Sequence, residues 1–204
     1  ASPDFLHFGA YGVHLFFIIS GFVILMPLDT SKSAAHFAYA RFARLYPAFW
    51  AAAATTFLAV RFFHLPDGSA GVPWKDAAWN LTMMHKFLAN AQDIDGVYWT
   101  LERELLFYIL MAANVAVGLR KYLLPLLAAL VSFALLTSLA PNLYAHLPGS
   151  RTLAWALNFH FLYLFLLGII LSSASAKWTP SLLALVALSL LAALADNGPF
   201  HATI

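Results

Sequence analysis

Six stretches of this chain are too long and too apolar to belong to an ordinary water-soluble fold. The first, residues 12–28, reads Gly-Val-His-Leu-Phe-Phe-Ile-Ile-Ser-Gly-Phe-Val-Ile-Leu-Met-Pro-Leu. Comparable runs occupy residues 46–63, 99–118, 122–140, 153–171 and 180–195. Crossing a bilayer in helical form takes about 20 apolar residues. Lipid cannot hydrogen-bond a backbone, so spans are helices or closed barrels. None of these runs alternates apolar with polar residues, which leaves helices. Composition agrees: 62% of residues are hydrophobic and 10% charged, against roughly 25% charged in soluble domains. The expected fold is all-α, a polytopic transmembrane bundle of about six spans, forming one domain over residues 1–204. A net charge of +2 says nothing about nucleic acid, no nucleic-acid partner is expected, and the absence of cysteine excludes disulfides and thiol chemistry.

Residues 95–111 are chemically the least ordinary stretch. Asp95-Gly96 is a turn signal. The apolar run that follows carries Glu102, Arg103 and Glu104 near its start. On a helix, Thr100, Glu104, Phe107, Tyr108 and Met111 share one face, with Glu102 roughly opposite. Acidic residues suit a helix N-terminus, where unpaired N–H groups favour negative charge, and Glu102 reads in that way. Glu104 lies deeper and on the aromatic face. An ionisable group inside a span calls for a functional role.

The basic residues give orientation. If residues 74–90 do not cross, Lys32, Arg41, Arg44, Arg120, Lys121 and Lys177 fall on one side, expected to be cytoplasmic. Gly12 and Asp196 are then both external. Residues 29–44 read as a polar connector, and Pro47 suits the first turn of the span after it. Residues 74–88 form a short helix-like segment, interfacial or re-entrant and not a full span. Residues 64–68 and 142–151 read as turn and loop. Arg41 and Arg44, three residues apart at a membrane boundary, serve as a topology signal. Their fork-shaped donors also suit phosphate. Ser20-Gly21 is a small-residue patch that lets another backbone approach. Asn80-Leu-Thr82 matches a glycosylation sequon, discounted in an apolar helix. His85 reads as an interfacial polar residue, and His160 sits mid-span.

Three segments together resemble the membrane acyltransferase-3 family. Residues 12–24 are similar to its Gly-Val-Asp/Glu-Leu-Phe-Phe-x-x-Ser-Gly-Phe element. Arg41-x-x-Arg44-x-x-Pro47-x-Phe49-Trp50 is similar to its Arg-x-x-Arg-Ile-x-Pro-x-Tyr/Phe-Trp element. Trp99-Thr-Leu-Glu-Arg-Glu104-Leu-Leu-Phe107-Tyr108 is similar to its Trp-Ser/Thr-Leu-x-x-Glu-x-x-Phe-Tyr element. The three follow the family's order and cover about residues 9–111.

The resemblance implies a membrane O-acyltransferase in a bacterial inner membrane. Its donor would be a cytoplasmic acyl-CoA, acetyl-CoA first among them, as a substrate with no permanently bound cofactor. Its acceptor would be a hydroxyl of a cell-surface carbohydrate. On this chain Glu104 is the candidate catalytic residue. Arg41 and Arg44 are the candidate contacts to the acyl-CoA phosphates, and Tyr98, Trp99 and Tyr108 the candidate acceptor-binding aromatics. No metal ligand is assigned. The family's usual histidine base lies in a helix before the Gly-Val element. His7 is too close to Gly12 to match it, and His14 stands where the family carries an acidic or amide residue. The chain opens Ala-Ser-Pro and ends soon after an apolar run, so it reads as a piece lacking its first helix and its C-terminal helices. Buried Glu and Arg residues also suit a transporter or flippase-like module, and a non-catalytic remnant is a third reading.

Overall fold

The computed structural model describes residues 8–63, 72–139, 159–173 and 178–195. His7, the 64–68 turn, the 142–151 loop and the side chain of His160 lie outside the described residues. All regular structure among the described residues is helical. The helices are α1 (Phe8–Thr30), α2 (Ala34–Phe63), α3 (Trp74–Asn80), α4 (His85–Ala89), α5 (Trp99–Ala116), α6 (Leu123–Leu139), α7 (Phe159–Ser173) and α8 (Pro180–Ala195).

The expected connector over 29–44 is the largest correction. Only residues 31–33 leave helical geometry. The Ser33 hydroxyl accepts the His36 amide at 3.1 Å, an N-cap, and α2 starts at once in an alanine-rich stretch. Charged side chains spaced on one helix do not break it, and alanine is the best helix former. At 1.5 Å per residue this helix is about 45 Å long. Pro47 therefore sits inside α2 and not in a first turn. The 74–88 segment also divides. Thr82 donates to the Trp79 carbonyl at 2.7 Å and accepts the Met84 amide at 3.1 Å, while Met83 takes a left-handed φ of 56°.

Six helices suited to spanning are not all present as such. Among the described residues, Gly12–Thr30 alone is both long and apolar enough, with a mean hydropathy of 1.9. Phe161–Ser173 and Pro180–Ala193 are apolar but shorter. Helix α5 has 18 residues but carries Glu102, Arg103 and Glu104. Gly118, at φ +70°, ends α5 by passing its amide to the Val115 carbonyl at 3.1 Å and the Leu119 amide to the Asn114 carbonyl at 3.0 Å. This left-handed cap suits glycine, which has no Cβ to clash.

The chain divides into two compact units, one made of residues 1–37 and 106–204, the other of residues 38–105. In the first, α1 pairs most extensively with α7. Phe17 is fully buried, with its ring 5.1 Å from Phe161 and 5.0 Å from Phe165. Phe165 stacks on Phe107 at 4.0 Å. The close approach expected at Ser20-Gly21 is found: Gly21 of α1 and Gly168 of α7 bring the two backbones together. A Cβ on Gly21 would lie 2.9 Å from the Phe165 Cα, and one on Gly168 2.6 Å from the Phe22 nitrogen. Helix α8 packs on α6 and α7. Arg120 donates to the Ser31 carbonyl at 2.8 Å, tying the 31–33 turn to the turn before α6.

In the second unit, Phe49, Ala53, Met83 and Tyr98 form the core, with Leu45, Tyr46, Ile94, Leu101 and Leu105 against it. Two aromatic side chains of α2 hold the turn between α3 and α4. The Tyr46 hydroxyl donates to the Thr82 carbonyl at 2.9 Å, and the Trp50 indole to the Leu81 carbonyl at 3.0 Å. Asn80 is buried and fully matched. It donates to the Asp76 and Gln92 carbonyls at 2.8 and 2.7 Å and accepts the Ile94 amide at 3.2 Å. The sequon asparagine is thus a packing residue of this unit.

Candidate functional site

The expected turn before α5 is present and built as the sequence suggests. Asp95 accepts the Val97 amide at 3.0 Å, and a single 3₁₀ turn over Gly96–Tyr98 leads into the helix. The cap fixes the helix start, and with it the rotation of every side chain that follows. The face read from spacing points inward: Glu104, Phe107, Tyr108 and Met111 are all buried. Thr100 is only partly so, and its hydroxyl donates to the Val97 carbonyl at 3.1 Å. Glu104 is 3% exposed, a carboxylate withdrawn from the protein surface.

The other candidates separate by environment. Arg41 is buried, whereas Arg44, three residues on, is exposed. A three-residue step turns a helix by about 300°, leaving neighbouring but not identical directions. One guanidinium points into protein and the other away from it. Tyr98 is part of the core of residues 38–105. Its ring meets Phe49 edge-on at 5.2 Å, and its hydroxyl donates to Thr56 at 3.2 Å. Tyr108 is buried and Trp99 half-buried. The three aromatics thus differ widely in access.

The most polar constellation was not read from the sequence. Glu102 lies beside His85, with 3.3 Å between Oε1 and Nδ1. The other ring nitrogen of His85 is bound to Asp93 Oδ1 at 2.5 Å. Lys86 meets Asp93 Oδ2 at 2.9 Å. His85 is 2% exposed and Glu102 3%. Partial burial pushes the Asp93 carboxyl up, but the hydrogen bonds and charges of Lys86 and His85 outweigh it and hold that carboxyl below its ordinary value. Glu102 is therefore more than a charge at a helix terminus. Chemically, the cluster places a histidine between two carboxylates, an arrangement that can hold a proton or a cation. The residues come from α4, the following loop and α5, at separations that match no helical repeat. The one sequence-level signal is that a histidine, a lysine and three acidic residues crowd into residues 85–102 of an otherwise apolar chain.

Compared with known proteins, residues 2–195 match a family model described as an acyltransferase domain, of the acyltransferase-3 type. No curated protein and no solved structure matches the chain significantly.

Proposed function

From the premise that the chain belongs to the acyltransferase-3 family and is an acyltransferase of groups other than aminoacyl groups, we propose that it acts as a membrane O-acyltransferase. It takes an acyl group, acetyl by preference, from a cytoplasmic acyl-CoA and passes it to a hydroxyl of a cell-surface carbohydrate. Its place is the inner membrane of a bacterium. The observation that carries this reading is the buried carboxylate of Glu104 in α5, in the segment that matches the family's Trp-Thr-Leu element. Such a group is costly in an apolar chain unless it works.

Acyl transfer to an alcohol needs a base for the hydroxyl proton and donors for the charge that develops on the carbonyl oxygen. Glu104 orients the base or holds the acceptor. Arg41, shielded from solvent, grips a donor phosphate through paired N–H groups, and the exposed Arg44 supplies charge at the entrance. Trp99 contacts the acceptor, while Tyr98 supports the start of α5 from behind. The six apolar runs cross the bilayer, with α2 extending beyond it. Supporting this topology, Arg120 holds the Ser31 carbonyl, so the 31–33 turn and the turn before α6 lie together, as two loops on one side of a membrane should.

The test is donor turnover. The full chain, purified in lipid nanodiscs with acetyl-CoA and a carbohydrate acceptor, should release free CoA in step with acceptor acylation. CoA release that does not depend on acceptor, or no release by protein shown to be folded, would overturn this reading.

A further inference from the structure

Within residues 38–105, two lone-pair atoms face each other in the interior. His85 Nδ1 and Glu102 Oε1 are 3.3 Å apart, both are buried, and neither has a hydrogen-bond partner. The opposite ring nitrogen settles which atom carries the proton. Asp93 is an acceptor, and its contact to Nε2 at 2.5 Å requires the hydrogen on Nε2. A neutral ring then presents its Nδ1 lone pair to the Glu102 carboxylate. Left so, a buried anion would face an acceptor, which is unfavourable.

A proton between the two atoms would draw them to about 2.7–2.9 Å along the N–H direction. The separation is longer than that, and the pair does not meet hydrogen-bond geometry. A divalent cation fits better. Metal–ligand bonds of about 2.0–2.1 Å in a tetrahedral site put two ligands roughly 3.3 Å apart. Asp93 is too close to Nε2 to share the same metal. It has the place of the carboxylate that orients a ligating histidine through its other nitrogen. Lys86 already meets the second oxygen of Asp93 at 2.9 Å, so the carboxylate that faces the unprotonated nitrogen of His85 is that of Glu102. Asp93 is 31% exposed and Lys86 41%, which leaves the cluster a way in for an ion and for waters to complete its coordination.

We propose that His85 Nδ1 and the Glu102 carboxylate bind a borderline divalent cation of the zinc type, with Asp93 as the positioning residue for His85. Nitrogen and oxygen donors suit Zn²⁺ or Co²⁺, and the chain has no cysteine to divert them. The cation would bolt α4 to the first turns of α5.

The experiment uses the full chain in nanodiscs, stripped with chelator and titrated with Zn²⁺. Bound metal is counted by mass spectrometry, and thermal stability is followed in parallel. The wild-type chain should take up one Zn²⁺ with a rise in melting temperature. Asp93→Asn should bind about 10- to 100-fold more weakly. Lys86→Ala, which removes a competing positive charge, should bind at least as tightly. Glu102→Gln should lose stoichiometric binding. Should Glu102→Gln fail to fold, Co²⁺ absorption of the wild-type chain decides: ligand-field bands of a nitrogen–oxygen site support the proposal. Their absence, or no Zn²⁺ uptake by the folded wild-type chain, overturns it and leaves a histidinium held between two carboxylates. Undiminished uptake by a folded Glu102→Gln chain overturns it as well.

Discussion

Replacing Gly168 by alanine adds one methyl group at the tightest helix contact described. The new Cβ would lie 2.6 Å from the Phe22 nitrogen and 3.0 Å from the Gly21 carbonyl carbon, and nearer still to the Ile18 carbonyl oxygen. Ordinary carbon contacts need about 3.5–4.0 Å. All three obstacles are backbone, so no side chain can swing aside and the two helices must move apart by roughly 1 Å or more to restore such contacts. Overpacking of this kind costs about 1–3 kcal/mol. The same movement loosens Phe17 from Phe161 and Phe165, and aromatic pairs contribute about 0.5–1.5 kcal/mol each. The expected loss is therefore about 2–6 kcal/mol. It runs against helix propensity, which favours alanine over glycine by about 1 kcal/mol. Gly12 is the internal control, because a Cβ there meets nothing within 4 Å. Thermal unfolding in detergent, read by the monodisperse fraction after heating, should show Gly168→Ala melting well below wild type and Gly12→Ala at or above it. If Gly168→Ala melts with wild type, the close backbone approach is not what joins α1 to α7.

Two further outcomes follow from the second unit. Asn80→Leu leaves the Ile94 amide and two carbonyls without their partner, at about 1–3 kcal/mol for each unmatched buried group; the same melting assay should show a clear drop, whereas Lys75→Ala on the same helix should not. Arg41→Lys keeps the charge but loses the paired donors, so acyl-CoA affinity measured by calorimetry should fall about tenfold, the size of one charge-assisted hydrogen bond. Arg44→Lys, at an exposed position, should change affinity less than Arg41→Lys. Equal affinities for both variants would return the pair to a topology signal alone.

What the sequence revealed and what it hid divide along physical lines. Local chemistry was legible. Asp95-Gly96 reads as a turn because an aspartate side chain can accept an amide two residues on, and it does. Ser20-Gly21 reads as a point of close approach because only small residues admit a second backbone. The inward face of α5 follows from its spacing. The extent of α2 was obscured because its polar N-terminal half resembles a loop in composition, yet its alanines and the Ser33 cap favour helix. The split of residues 74–88 depends on one threonine hydroxyl and one left-handed methionine, neither of which leaves a mark in hydropathy. The His85 cluster was hidden for a different reason. Its members follow no helical repeat and meet only when the loop carrying Asp93 folds back, a path held by Asn80. The separate fates of Arg41 and Arg44 depend on the packing of α2, which spacing alone does not supply.

That cluster changes the test of Glu104. By sequence, Glu102 is a replaceable helix-terminal charge and Glu104 the working group. In the fold, both are buried to the same degree, so burial does not choose between them. Partners do. Glu102 faces His85 at 3.3 Å, where the proposed cation would join α4 to α5, and its loss is expected to lower the amount of folded protein. Glu104 belongs to the face of Phe107, Tyr108 and Met111, in the segment matching the family's element. If it orients a base or the acceptor, removing its charge takes away a charge-assisted hydrogen bond of about 1.5–3 kcal/mol, or about ten- to a hundredfold in rate if that bond acts in the transition state. The two effects separate when acceptor acylation is measured in cells and divided by the folded protein in the membrane. Glu104→Gln should then lose about ten- to a hundredfold in activity per folded molecule. Glu102→Gln should show less folded protein but near-normal activity per molecule. Glu104→Asp, which keeps the charge but withdraws it by one methylene, should remain impaired, because position matters as well as charge. Equal specific activity for Glu102→Gln and Glu104→Gln would remove Glu104 from the chemistry and leave both carboxylates as parts of the packing.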